Sequence, residues 1–158
     1  MGEQRRFAFQ HGWWVPHRHE AVAEALADLG RYPIWWPQVR AVARLGEDDA
    51  WVRCRSQMPW TLDLHLRAVS RRPTLLETEL GGDLVGFALW RLTPEYGGTR
   101  LDYEQEVDLR LAWLGVLARP LGPLLHWNHD VMMRGCRQGL ARWLASRRTE
   151  PEGLSDWR

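Results

Sequence analysis

Residues 99–110 read Thr-Arg-Leu-Asp-Tyr-Glu-Gln-Glu-Val-Asp-Leu-Arg, and this stretch decides the fold. Arg100, Asp102, Glu104, Glu106, Asp108 and Arg110 alternate with Thr99, Leu101, Tyr103, Gln105, Val107 and Leu109. A strict period of two means a long strand with one face in water and the other inside. Tyr103 and Gln105 stand in the middle of the inside face, where a plain core would carry Val or Ile. A buried polar group without a partner costs roughly 1–3 kcal/mol. The inside face therefore reads as a wall that hydrogen-bonds something.

Working back toward the N-terminus, the β signal continues to Val39. Strands are expected at about 38–45, 50–58, 61–71, 74–80, 83–93 and 98–110. Gly46-Glu47-Asp48-Asp49, Pro59, Arg72-Pro73, Gly81-Gly82 and Pro94–Gly98 break the runs. Turn residues at such short spacing join neighbouring strands as antiparallel hairpins. Leu62, Leu64, Leu66 and Ala68 oppose Asp63, His65 and Arg67, and Val52, Cys54, Ser56 and Met58 oppose Arg53 and Arg55. In 83–93, one face carries Leu84, Gly86, Ala88, Trp90 and Leu92. Val85, Phe87 and Leu89 share the other with Arg91, which leaves an apolar outer ridge suited to a homodimer contact.

Before this β block, Arg5–Val15 reads as a strand stopped by Pro16. Ala21, Val22, Ala25, Leu26 and Leu29 follow at spacings of three and four, an amphipathic helix over His19–Leu29 closed by Gly30. Pro33 opens a further short helical turn, and Pro37 stops it. Beyond Arg110 comes a connector, then a long helix from about Gly122 to Arg147 with Pro123 in its first turn. A helical wheel gathers Leu125, Asn128, Met132, Gly135, Cys136, Gly139 and Trp143 on one side. It places His126, Asp130, Arg134, Arg137 and Ala141 on the other. Residues 1–148 are expected to form one domain, with 149–158 a loose polar tail.

Composition narrows the function classes. The formal net charge is +1, and all 21 basic residues are Arg, scattered along the chain. That distribution lacks the one-sided basic cluster of a nucleic-acid-binding protein. Cys54 and Cys136 are expected as free buried thiols. No signal peptide or run of about 20 apolar residues is visible, so a cytoplasmic location without membrane insertion is expected. The 11 tryptophans among 158 residues supply much of the large apolar surface.

The element order is one strand, two short helices, six strands and one long helix, an α+β arrangement. Seven strands at ~4.8 Å make a sheet roughly 33 Å wide. One helix is only about 10–12 Å across. The sheet must curl around it, and the surplus inner surface needs large side chains or a guest. Gly135 and Gly139 each cost roughly 1 kcal/mol against Ala within a helix. They either widen the space beneath the helix or let it lie close to its neighbours, and Asn128 on the same side favours the wider space.

Several stretches carry a family resemblance. They are His17–Val39 with its Tyr32-Pro33-Ile34-Trp35-Trp36-Pro37, and Gly82-Asp83-Leu84-Val85-Gly86 leading to Trp90-Arg91-Leu92-Thr93-Pro94. Gly98–Tyr103, Arg119-Pro120 and Trp127–Gly135 complete the set. With these the chain resembles the START-like (SRPBCC) superfamily over about residues 5–146. The similarity is to the branch described as polyketide cyclase/dehydrase and lipid transport. The resemblance implies a helix-grip fold, with the curved antiparallel sheet wrapped around the C-terminal helix and a hydrophobic pocket between them. Members bind lipids, sterols, polyketides and hormones, and some catalyse cyclisation. They share no catalytic signature, so no catalytic residue carries over.

The candidate ligand contacts are Trp35, Trp60, Trp90, Tyr103, Gln105, Asn128, Met132, Gly135 and Gly139. Tyr103 and Gln105 offer polar contacts to a guest, or else satisfy each other or Asn128. Trp60 and Trp90 either stack on a flat guest or fill the core. Trp35 lies with Trp36 at the pocket mouth by the resemblance, as a lid or as a staple for the short helices. Metal-ligand spacing is missing. His17-x-His19 falls on a loop, one of His126 and His129 points to the back of the helix, and no His-Glu-x-x-His or cysteine pair occurs. Neither a metal nor a cofactor is expected. The leading expectation is a carrier or sensor for a small hydrophobic molecule. The alternative is a cyclase or aromatase folding a poly-β-keto chain, with Tyr103 as its candidate proton-moving group. The absence of a His or carboxylate placed inside favours binding over enzymatic turnover.

Overall fold

The computed structural model describes residues 6–110 and 118–148. The elements are β1 (Arg6–Val15), α1 (His19–Ala27), a 3-10 turn (Leu29–Arg31), α2 (Tyr32–Trp35), β2 (Val39–Arg44) and β3 (Asp49–Cys54). They continue with β4 (Leu62–Arg72), β5 (Leu75–Gly82), β6 (Leu84–Glu95), β7 (Gly98–Leu109) and α3 (Ala118–Arg148). The seven strands form one antiparallel sheet in the order β1-β7-β6-β5-β4-β3-β2. Every hairpin expected from the turn residues is present. The β3 strand ends at Cys54 rather than near residue 58: the Arg55 amide still donates to the Gln38 carbonyl at 2.8 Å, but the Gln57 amide donates to the Asn128 side chain instead of a neighbouring strand. The expected connector and tail, 111–117 and 149–158, lie outside the described residues.

The alternation in 99–110 sets the register of the sheet centre. Gln105 is flanked by Phe9 of β1 and Ala88 of β6, and Tyr103 by His11 and Trp90. Leu101 lies between Trp13 and Leu92 in the same way, and all these side chains share the inner face. Thr99 ends the row fully buried, its hydroxyl donating to the His17 carbonyl at 2.8 Å. Strands β6 and β7 approach closely at Gly86. A Cβ there would overlap the Glu106 carbonyl, so a side chain would force β6 away from β7.

Two core regions divide the interior. The first joins Trp13, Trp35, Trp36, Trp90 and Tyr32 to Val22, Leu26, Leu101, Met133, Cys136, Leu140 and Leu144. The second is smaller and centres on Phe7, Phe9, Leu80 and Val107. Helix α3 approaches β1, α1 and α2 most closely rather than the middle strands of the sheet. It begins at Ala118, a turn before the expected start, so Pro123 lies inside it and removes one amide from the ladder.

The face of α3 that points inward shares Cys136 and Gly139 with the expected one but is rotated from it. His129, Met133, Cys136, Leu140 and Leu144 are buried, spaced four, three, four and four apart. Leu125, Asn128, Met132 and Trp143 lie at the flank of that stripe and are half-buried. Cys54 and Cys136 are free and buried, as expected.

Candidate functional site

The polar groups of the inner wall form one connected cluster. Gln105 Oε1 accepts from the Tyr103 hydroxyl at 2.5 Å and lies 3.0 Å from His129 Nε2. As the amide is oriented, that oxygen only accepts, so His129 carries its proton on Nε2. The other ring nitrogen, Nδ1, is left with a lone pair and faces His11 Nε2 at 3.3 Å. His11 Nε2 also lies 3.4 Å from Asp130 Oδ1. Phe9 stacks flat on His129, with ring centroids 3.8 Å apart and planes at 10°. Burial is the main cause that lowers the His129 pKa to about 3, and the neighbouring His11 and His126 add to it, so the imidazole is neutral. Burial likewise lowers the pKa of His11 and raises that of Tyr103.

Of the two expected roles for Tyr103 and Gln105, their mutual hydrogen bond is present. Their third partner is His129, not Asn128. Asn128 was expected to face a cavity, and this is corrected. Its side-chain oxygen accepts from the Gln57 amide at 2.9 Å, and its carbonyl lies 3.4 Å from the Ser56 hydroxyl. It thereby ties the β3–β4 connection to α3, satisfying backbone that has no ladder partner.

The glycines resolve toward close packing rather than a widened space. A Cβ on Gly139 would overlap the Trp35 carbonyl oxygen, and one on Gly135 would overlap the Gln38 side chain. Their small size lets α3 lie directly against α2 and the start of β2. Trp36 Nε1 completes that contact, donating to the Met132 carbonyl at 3.0 Å.

Trp35 is buried and stacked on Trp36, with centroids 5.8 Å apart and planes at 17°. Trp90 is buried, edge-on to Trp13 and tilted over Tyr103. Trp60 is half-buried on the β3–β4 connection. The indole N–H groups of Trp13 and Trp35 are buried without an acceptor among the described residues. Toward the other end the inner-face side chains are less completely buried. Leu62 and Leu66 of β4, Leu84 and Ala88 of β6, and Leu125 and Met132 of α3 all pack against the two cores yet remain only half-buried. The indole-rich half thus holds most of the fully buried side chains, and the half bounded by β4, β6 and the first turns of α3 holds these half-buried ones.

Elsewhere, a surface cleft of about 590 Å³ separates α1 from the C-terminal part of α3. Its walls include Arg18, Glu24, Asp28, Arg31, Trp143 and Arg147. It lies outside the space between sheet and helix.

Sequence reasoning missed His11 and His129. The signal for His11 was the β1 alternation Phe7, Phe9, His11, Trp13, Val15. The signal for His129 was the stripe traced backwards from Leu144 through Leu140, Cys136 and Met133.

A seven-stranded curved antiparallel sheet closed by a long C-terminal helix, with two short helices after the first strand, defines the helix-grip class. The family described as polyketide cyclase/dehydrase and lipid transport matches residues 15–143, and the chain belongs to it. Among solved structures, the Zhui aromatase/cyclase of Streptomyces sp. R1128 superposes with a TM-score of 0.77 at 15% identity, covering 95% of this chain and 100% of that one. A START superfamily protein of Mycobacterium smegmatis gives a TM-score of 0.74 at 15% identity, covering 89% and 98%. A Thermus thermophilus protein gives 0.73 at 16% identity, covering 89% and 98%. No curated protein matches the sequence. No helix among the described residues is long and apolar enough to cross a membrane.

Proposed function

We propose that this protein binds a small hydrophobic molecule between the inner faces of β4–β6 and the first turns of α3, as a carrier or sensor. One observation carries the reading. Leu62, Leu66, Leu84, Ala88, Leu125 and Met132 line the inside of the fold yet stay half-buried. Interiors are normally packed to crystal density, and a guest would complete this one. Burying about 300 Å² of apolar guest surface contributes roughly 7 kcal/mol before association costs. Subtracting an association cost of about 4 kcal/mol leaves about 3 kcal/mol, an affinity in the millimolar range, and each further ~100 Å² of buried guest surface tightens it by about 2.5 kcal/mol. Tyr103 and Gln105 already satisfy each other, so affinity would rest mainly on burial of apolar guest surface. Met132 lines the same space, and Gly135 and Gly139 act by holding α3 in place.

Titration with a fatty acid, a flavonoid and an aromatic polyketide, followed by calorimetry and Trp fluorescence, tests this. At least one class should saturate. Ala88→Trp, which adds bulk among these half-buried side chains, should weaken that binding tenfold or more while unfolding stays cooperative. Unchanged binding in that variant would place the guest elsewhere.

A cyclase reading has one observation in its favour, the interior imidazole of His129 beside Tyr103. Against it, both ring nitrogens have partners and Phe9 covers one face. Binding without turnover is therefore the stronger reading. Incubation with a poly-β-keto substrate mimic decides between them. Chemically unchanged mimic is expected, and cyclised product lost in His129→Gln would favour the enzyme.

A further inference from the structure

We propose that His11, His129 and Asp130 form a binding site for one zinc ion at the open edge of the sheet, between β1 and α3. Both residues that hold the ends of this site are fixed by the fold. His11 belongs to the inner row of the edge strand β1, and His129 to the buried stripe of α3. Asp130 follows on the helix and faces solvent. One ligand atom from each lies within 4.8 Å of the others.

Two of the three ligand spacings suit tetrahedral zinc. With metal–ligand distances of about 2.0–2.1 Å, ligand atoms on a tetrahedron stand about 3.3–3.4 Å apart. His11 Nε2 lies 3.3 Å from His129 Nδ1 and 3.4 Å from Asp130 Oδ1. Two imidazoles and one carboxylate are also a zinc-type donor set, and they leave a fourth position on the solvent side for water or an exogenous ligand.

The surroundings support His129 as a ligand in particular. Zinc-binding histidines usually donate their second N–H to an oxygen, which fixes tautomer and ring orientation. His129 Nε2–H faces Gln105 Oε1, which Tyr103 holds in turn. The Nδ1 lone pair is thereby presented toward His11 and Asp130, and stacking on Phe9 fixes the ring plane. Without metal, His11 Nε2–H donates to that lone pair. Zinc takes its place when His11 moves its proton to Nδ1, so the ring stays neutral and contributes Nε2. Gln105 and Tyr103 are then positioning residues for the metal, which accounts for a polar pair in the middle of an otherwise apolar wall. Nothing in the residue spacing pointed to this grouping, because the two histidines stand 118 residues apart.

The test uses the untagged chain, stripped with chelator, dialysed and titrated with zinc chloride by calorimetry without any guest. One equivalent should bind, and Co²⁺ in its place should give the intense visible bands of a tetrahedral site with nitrogen and oxygen donors. Asp130→Asn and His11→Gln should each weaken zinc at least about tenfold, with His126→Gln as an unaffected control. Absence of stoichiometric binding overturns the proposal, as does binding that neither ligand variant changes. Guest binding is measured separately with chelator present, so a failure here leaves the hydrophobic-guest reading untouched, and the reverse.

Discussion

Gly139→Ala is the substitution whose effect follows most directly from the geometry. The added methyl would overlap the Trp35 carbonyl oxygen and come 2.8 Å from its carbonyl carbon. Neither atom belongs to a flexible side chain, so α3 must retreat by on the order of 1 Å to restore van der Waals contact. That retreat loosens Cys136 and Leu140, both fully buried, and stretches the Trp36–Met132 hydrogen bond from 3.0 Å. Overpacking costs about 1–3 kcal/mol, and a weakened hydrogen bond about 1 kcal/mol. The gain in helix propensity returns about 1 kcal/mol. The net loss is about 2 kcal/mol, or roughly 4–8 °C in Tm for a chain of this size. Gly135→Ala provides the comparison, because the atoms in its way belong to the movable Gln38 side chain. It should change stability by less than about 1 kcal/mol. Urea unfolding of both variants, followed by far-UV circular dichroism, measures the difference. A Gly139→Ala protein as stable as the parent would mean that α3 stands off from α2, and the close-packing account would be wrong.

Gln105→Leu should destabilise by about 2–4 kcal/mol, since it leaves the Tyr103 hydroxyl and His129 Nε2–H buried without an acceptor. Tyr103→Phe removes donor and demand together and should cost about 1 kcal/mol by the same urea assay. Burial pushes the Cys54 thiol up to about 12 and raises that of Cys136 as well. A disulfide reagent at pH 8 should therefore find neither thiol in the native protein and both in urea; prompt native reaction would contradict their burial. Along the outer ridge, Val85, Phe87 and Leu89 pair across the sheet with Glu77, Glu79, Glu104, Glu106 and Asp108. Two copies meeting there would bring these carboxylates together, so any dimer should strengthen with salt. Sedimentation velocity at low and high salt tests this, and a monomer under both conditions removes the ridge as an interface.

The sheet was legible because its strands are alternating runs punctuated by Gly, Pro and acidic turns, and because 99–110 fixes inside and outside without ambiguity. The long helix was harder. Its apolar residues form two overlapping stripes, one through Leu125 and Met132 and the other through Met133 and Leu140. The helical wheel followed the first, and the buried stripe follows the second. Once His129 is counted as interior, the spacing to Leu144 is regular. The glycines were ambiguous for a different reason: a missing side chain looks the same in sequence whether it makes room or allows contact. Only the position of the Trp35 carbonyl distinguishes the two. His11, His129 and Asp130 could not be grouped in advance, since spacing along one element says nothing about which helix turn meets which strand.

The most direct test of the hydrophobic-guest account is methyl NMR during addition of the fatty acid, flavonoid and aromatic polyketide. Leu62, Leu66, Leu84, Leu125 and Met132 should shift with at least one guest, while Leu26, Leu140 and Leu144 in the indole-packed half stay in place. Perturbation confined to the cleft between α1 and α3, or no perturbation by any of the three, would contradict it.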